Sequence, residues 1–260
     1  MATSRMDWYH EVDEGWLIAR KGVLTATEIS KLVSPYKRFP KKRVEAGEVN
    51  PAFAALWGEK TSDWPVDVTS YGAAARGHVM EPYAVDEYSR ITGLDMFHWD
   101  DCLLCNGAIG FSPDGLDVHP TCTDVNLTVG TDGLYAEDGL ACELPTRMLE
   151  VKSFEPASHM KAIVTPKYER DQLMQLAVAF HVLPSLDEAT LMFFCPPARI
   201  PIFLETYTRD SLSAMIDLVD EIVVEYNRTN VAMMKMATCM PSTKANEMEI
   251  WREHMDTRLA

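Results

Sequence analysis

The chain has 260 residues, 47% of them hydrophobic, with 24 Lys and Arg against 39 Asp and Glu for a formal net charge of −15. That length suits one large domain, or one domain with sizeable additions, around a substantial core. The acidic balance argues against a uniformly basic nucleic-acid binder, and no stretch approaches the roughly 18 apolar residues that a membrane span requires.

The first residues, Met1-Ala-Thr-Ser-Arg-Met-Asp7, lack the apolar run of a secretory signal. A soluble intracellular protein is therefore expected, and its six cysteines should be reduced thiols. Cys102-Leu-Leu-Cys105 has the spacing of half a zinc or iron–sulfur site, but no second pair completes it.

In chain order, Arg20-Lys-Gly22-Val-Leu-Thr25-Ala-Thr27-Glu28 precedes an apolar pattern and predicts a helix start. Hydroxyls and free N–H groups there offer a seat for phosphate, and Arg20 could add a bidentate clamp. Plain capping explains the same residues. Residues 35–70 are irregular, with prolines throughout, and Lys37-Arg38-Phe-Pro-Lys41-Lys42-Arg43 places five cations in seven residues. Such a patch on an acidic protein is either a solvated loop or a directed approach for DNA. Trp57 and Trp64 belong to the same stretch.

A helix is predicted over 71–92, with Val79, Tyr83 and Ile91 spaced for one apolar face. Pro82 should kink it or mark its start, holding Glu81 at the irregularity. Two short strands flank Asn106-Gly107, a hairpin signal, and the second runs into Ser112-Pro113-Asp114-Gly115, a turn. Residues 119–146, rich in Thr, Gly and Asp, read as an inserted hairpin or loop excursion. Next comes Arg147-Met-Leu-Glu150-Val-Lys152. As a strand it turns Glu150 and Lys152 to one face and Leu149 and Val151 to a core. A carboxylate beside an ammonium can hold a divalent cation and steady a water.

Within 156–183 a helix carries Gln172 and Gln175 on a shared face. Strands are predicted at 189–195 and 201–207, broken by Cys195-Pro-Pro197. From about 208, Leu212, Met215, Ile216, Val219, Ile222, Val223 and Tyr226 mark a long amphipathic helix.

The order Arg-x-Gly-x-x-Thr-Ala-Thr, Gly-x-x-x-Glu-Pro, Ser-Pro-Asp-Gly-Leu, Leu-Glu-Val-Lys and a Gln-bearing helix resembles the YqaJ family of viral recombination exonucleases, which includes lambda exonuclease, within the PD-(D/E)XK nuclease superfamily. The similarity runs from about Trp16 to Phe180. It implies an α/β (α+β) fold with a restriction-endonuclease-like core, a central mixed β-sheet flanked by helices. One nuclease domain would fill 1–260, with an insertion at about 119–146 and a helical extension at about 208–260.

The resemblance also implies roles. Asp114, Glu150 and Lys152 match the catalytic core, and Glu81 matches the acidic residue beside the metals. Arg20, Thr27 and Ser112 match positions that hold the 5′-phosphate of the strand being cut, and Thr25 is a DNA-binding candidate beside them. Gln175, or else Gln172, matches the glutamine of the following helix. The implied cofactor is Mg²⁺, with Mn²⁺ as a substitute. The chemistry agrees, since two such ions do most of the work of phosphodiester hydrolysis, and oxygen donors suit them. Asp114, Glu150, Glu81 and the Val151 carbonyl would be the ligands, and Lys152, its pKa lowered by the cations, would orient the water.

The 35 residues between Asp114 and Glu150 exceed what a tight hairpin needs, and Asp132 is a rival ligand nearer in sequence. The expected activity is 5′→3′ degradation of double-stranded DNA ends by a cytoplasmic, phage-type enzyme. A homotrimeric ring and a single-strand annealing partner are implied with it. An endonuclease or nickase, a nuclease of single strands or forks, and an inactive DNA-binding protein are the alternatives.

Overall fold

The computed structural model describes residues 22–32, 73–99, 102–119, 126–137, 139–166 and 172–238, together with Leu17, Arg20, Phe53, Leu56 and Gly58. The basic cluster at 37–43 and both Trp57 and Trp64 lie outside these residues. Two mixed sheets and five helices make up the described fold. The first sheet has five strands and the second six. The first corresponds to the expected central mixed sheet; the sequence did not announce the second.

At the centre of the first sheet is β9 (Arg147–Ser153). It pairs in parallel with β10 (Glu188–Phe194) and antiparallel with β5 (Gly115–Leu116). The edges are β11 (Ile202–Thr208) and β2 (Phe97–His98). Strand alternation sends Leu149, Val151, Met192 and Phe194 to one side, where they pack on Ala84, Val85 and Tyr88 of α2 (Ala73–Thr92). Met148, Leu191 and Phe193 face the other side and join the main core with α4 (Gln172–Val182) and α5 (Ser213–Thr238). The sheet is thus covered on both faces.

The buried face of α2 is not the expected one. Tyr83 is 63% exposed and Ile91 41%, while Ala75, Ala84, Val85 and Tyr88 are buried. The reason is close packing. A Cβ added to Gly115 would come within 3.2 Å of Val85 Cγ2, so α2 lies low over β5 and small residues make the contact. Pro82 sits inside the helix rather than at its start.

In the second sheet, β3 (Leu103–Asn106) and β4 (Ile109–Phe111) form the antiparallel pair around Asn106-Gly107. On one side β1 (Leu24–Thr25) pairs in parallel with β4 and leads into α1 (Ala26–Leu32). On the other, β6 (Asn126–Val129) pairs in parallel with β3, followed by β7 (Leu134–Ala136) and β8 (Gly139–Cys142). Of the inserted hairpin or loop excursion expected over 119–146, the described residues form the hairpin: β6–β7 and β7–β8 pair antiparallel, their strands extend this sheet, and Leu127 and Leu134 sit fully buried in the main core.

Beyond β9, α3 (Pro156–Val164) precedes α4. No helix among the described residues is long and apolar enough to cross a membrane.

Candidate active site

Glu150 and Lys152 project from β9 on the face turned away from α2. Glu150 is 6% exposed, and the Lys152 ammonium donates to its Oε1. Asp114 lies one residue before β5, and the register that sets Gly115 opposite Leu149 carries Asp114 opposite Glu150. Side chains directly opposite in an antiparallel pair share a face, with Cβ atoms about 4.5–5.5 Å apart. Asp114 Oδ2 accepts a hydrogen bond from the Val151 N–H at 2.6 Å.

Glu81 comes from α2. Its side chain is 15% exposed, and His78 Nδ1 stands 3.4 Å from its Oε2, one helical turn back. Arg76 ties the same part of α2 to the end of β9. Its Nη2 donates to the Ser153 carbonyl at 3.3 Å and its Nη1 to Glu155 at 2.5 Å. The sequence named no role for His78 or Arg76, although the i,i+3 spacing of His78 and Glu81 was a usable signal.

The charges in this cluster are unbalanced. Burial raises the Asp114 carboxyl well above the usual range, and the negative charges of Glu150 and then Glu81 push it further. Lys152 and the Val151 N–H oppose the rise without cancelling it. For Lys152, burial works to lower the pKa, but the carboxylates of Glu150, Asp114 and Glu81 outweigh it and hold the ammonium above its usual range. Without cations the lysine is thus charged at neutral pH, opposite in direction to the lowering expected beside bound metal.

Among the described residues no three His, Cys, Asp or Glu side chains are gathered into a metal-holding group. Each acid has a neighbour of its own: Asp114 accepts from the Val151 N–H, Glu150 from the Lys152 ammonium, and Glu81 lies beside the His78 ring. The donor chemistry nonetheless fits a hard divalent cation. Three carboxylates and a backbone carbonyl are all-oxygen ligands, and three acids face one ammonium in a partly dry place.

Beside the cluster lies an open cleft lined by Arg20, Thr25, Thr27, Ser112, Gln175 and Glu150, with Leu103 and Phe111 forming its apolar wall. Its polar residues are Arg20, a helical residue shortly before β1, Thr25 of β1, Thr27 at the start of α1, Ser112 just past β4, Gln175 of α4 and Glu150 of β9. Thr25 precedes α1, and the Glu28 N–H points at its Oγ1 across 3.5 Å. Burial pulls the Arg20 pKa below its usual value, opposed by Glu28. Glu150 belongs to both the carboxylate cluster and the cleft. Gln175 lines the cleft; Gln172, at the start of α4, does not.

Asp132 stands apart. It is exposed on the β6–β7 turn and accepts a hydrogen bond from the Tyr135 hydroxyl at 2.5 Å. Cys102 and Cys105 pack in separate apolar clusters, and burial pushes the Cys105 thiol up to about 11, so it is no thiolate at neutral pH.

A family model described as the YqaJ-like viral recombinase domain matches residues 15–182. No curated protein matches the chain. Among solved structures, the alkaline exonuclease LHK-Exo from Laribacter hongkongensis superposes with a TM-score of 0.54 at 18% identity, covering 88% of this chain and 100% of that one. Its complex with dAMP gives 0.54 at 17% identity, with 91% and 100% coverage. A phage-related exonuclease from Haemophilus somnus 129PT gives 0.49 at 14%, with 82% and 96% coverage. At such identities the likeness to LHK-Exo is one of fold: mixed sheets flanked by helices.

Proposed function

The chain belongs to the YqaJ-like viral recombinase family and is a deoxyribonuclease of that family, and from that premise we propose a Mg²⁺-dependent 5′→3′ exonuclease of double-stranded DNA ends. One observation carries the reading. Arg20, Thr25, Thr27, Ser112 and Gln175, far apart in sequence, line a single cleft that also touches Glu150. A terminal phosphate seated there would fix which phosphodiester lies against the carboxylates.

In this reading Arg20 gives the terminal phosphate a charge-assisted, bidentate contact. The hydroxyls of Thr25, Thr27 and Ser112 and the Gln175 amide donate to its remaining oxygens. Leu103 and Phe111 keep water from that side. Asp114, Glu150, Glu81 and the Val151 carbonyl would hold Mg²⁺, with Mn²⁺ as a substitute. Such ions supply an activated water and charge relief at the phosphoryl group. Lys152 donates from Nζ to orient the attacking water and to steady the charge that develops. Its placement two residues from Glu150 on a central strand keeps both groups rigidly related.

The family likeness further supports a ring of three and a single-strand annealing protein as partner. Sedimentation of the purified chain tests the first.

The decisive assay sets linear duplex with 5′-phosphates against 5′-hydroxyl ends and covalently closed circles. Much faster degradation of the phosphorylated than of the hydroxyl ends, with closed circles untouched and all cutting lost in Lys152→Ala, is the expected result. Cutting of closed circles would make it an endonuclease, and wild-type activity equal to that of Lys152→Ala would end the reading.

A further inference from the structure

Helix α5 lies outside the matched residues 15–182, yet one of its side chains reaches the turn between Arg20 and Thr25. Tyr226 is 0% exposed, and its hydroxyl donates to the Gly22 carbonyl at 2.7 Å. Gly22 has φ +73, a left-handed conformation that favours glycine. It sits between Arg20 and Thr25, both of which line the cleft. The turn is closed by the Val23 N–H donating to the Arg20 carbonyl at 3.0 Å.

The phenol is itself oriented. Asn230, one helical turn further on, opposes the rise that burial causes in the phenol's pKa, and the ring packs edge-on against Phe53 at 5.2 Å between centroids. The direction of the chain is Asn230 to Tyr226 to Gly22 to the turn that presents Arg20.

We propose that Tyr226 is a positioning residue for 5′-phosphate selection, holding the Arg20 turn through the Gly22 carbonyl so that α5 takes part in choosing DNA ends. The inference rests on the cleft's being the phosphate seat. Removing one hydroxyl would leave the Gly22 carbonyl unsatisfied and let the turn shift, while the carboxylate cluster on β9 would stay in place.

The test uses the full chain as wild type, Tyr226→Phe, Arg20→Gln and the double variant. Binding of 5′-phosphorylated and 5′-hydroxyl duplex is measured in EDTA, and kcat and KM on both with Mg²⁺. Tyr226→Phe should reduce the phosphate preference about ten-fold, the scale of one buried hydrogen bond. The change should lie in binding and KM, with cleavage of 5′-hydroxyl ends within about two-fold of wild type. In the Arg20→Gln background it should cost nothing more. Asn230→Ala, which only disorients the phenol, should give a smaller loss of the same kind, and serves if Tyr226→Phe folds poorly. An unchanged preference, an equal loss on both ends, or a full additional loss in the double variant would each overturn the proposal. If wild type and Arg20→Gln both ignore the end group, the phosphate seat itself is wrong and the inference falls with it.

Discussion

Asp114 and Glu150 face each other across the β5–β9 pair, yet each carboxylate is held by a different donor: Asp114 by the Val151 N–H at 2.6 Å, Glu150 by the Lys152 ammonium. Two acids on one face of a twisted sheet repel unless a cation lies between them. The cluster is therefore expected to destabilise the metal-free fold and to tighten around added metal.

Asp114→Asn tests the repulsion. The folded pKa of Asp114 lies above its ordinary value of 3.8, so the native state binds that proton more tightly than the unfolded chain does. Stability from this group is then full below about pH 4 and is lost as pH rises through the folded pKa. The asparagine can still accept from Val151 and carries no charge. In EDTA near pH 7.5 its Tm should exceed wild type, by about 2–4 °C for each kcal/mol relieved, with no gain near pH 3.5. Activity should be lost. Equal melting temperatures at both pH values would count against the charge imbalance.

Lys152→Ala should behave in the opposite sense. Glu150 is 6% exposed, and removing its ammonium leaves a buried carboxylate uncompensated. Breaking such a pair costs about 3 kcal/mol, so the variant should melt lower than wild type in EDTA. Added Mn²⁺ should recover most of that loss without restoring cleavage. A variant as stable as wild type in EDTA would show the pair contributes nothing to the metal-free fold.

The two candidate glutamines give a paired comparison. Gln175 lines the cleft and Gln172 does not. Gln175→Leu should lower kcat/KM on 5′-phosphorylated ends by about ten-fold, the loss of one hydrogen bond to a charged group. Gln172→Leu, one turn away, should stay within about two-fold on the same ends. The reverse ranking would move the phosphate seat toward the start of α4.

How much of this was legible follows from which features are local. The Glu150 and Lys152 face, the Asn106-Gly107 turn and the Cys195-Pro-Pro197 break depend on alternation and turn chemistry, and the strands lie where those signals put them. The buried face of α2 is not local. Apolar spacing favoured Val79, Tyr83 and Ile91, but the close approach over Gly115 selects Ala84 and Val85, and periodicity alone ranks a bulky residue above an alanine. The Tyr226–Gly22 bond spans 204 residues, and no window of sequence contains both ends. A hairpin was legible within 119–146, and β6–β7–β8 pair antiparallel; that these strands join the sheet was not, since β6 finds its partner in β3 by parallel pairing.

Those strands yield the last prediction. Leu127 on β6 is opposite Leu104 in the register with β3 and is 0% exposed. The two ends of the segment are fastened at one point, where Asp117 accepts from the Thr146 N–H at 2.9 Å and from the Thr146 hydroxyl at 2.6 Å. A dispensable loop would tolerate truncation of its side chains. A strand whose leucines complete the main core would not, and Leu127→Ala should cost about 2–5 kcal/mol. Leu140 on β8 is the matched control, because it is 63% exposed, and Leu140→Ala should change stability by no more than about 0.5 kcal/mol. Urea denaturation of both variants reads the difference directly. If Leu127→Ala unfolds at the wild-type midpoint, β6 is an ornament on the sheet, and residues 119–146 could be excised without disturbing the Asp114–Glu150 geometry.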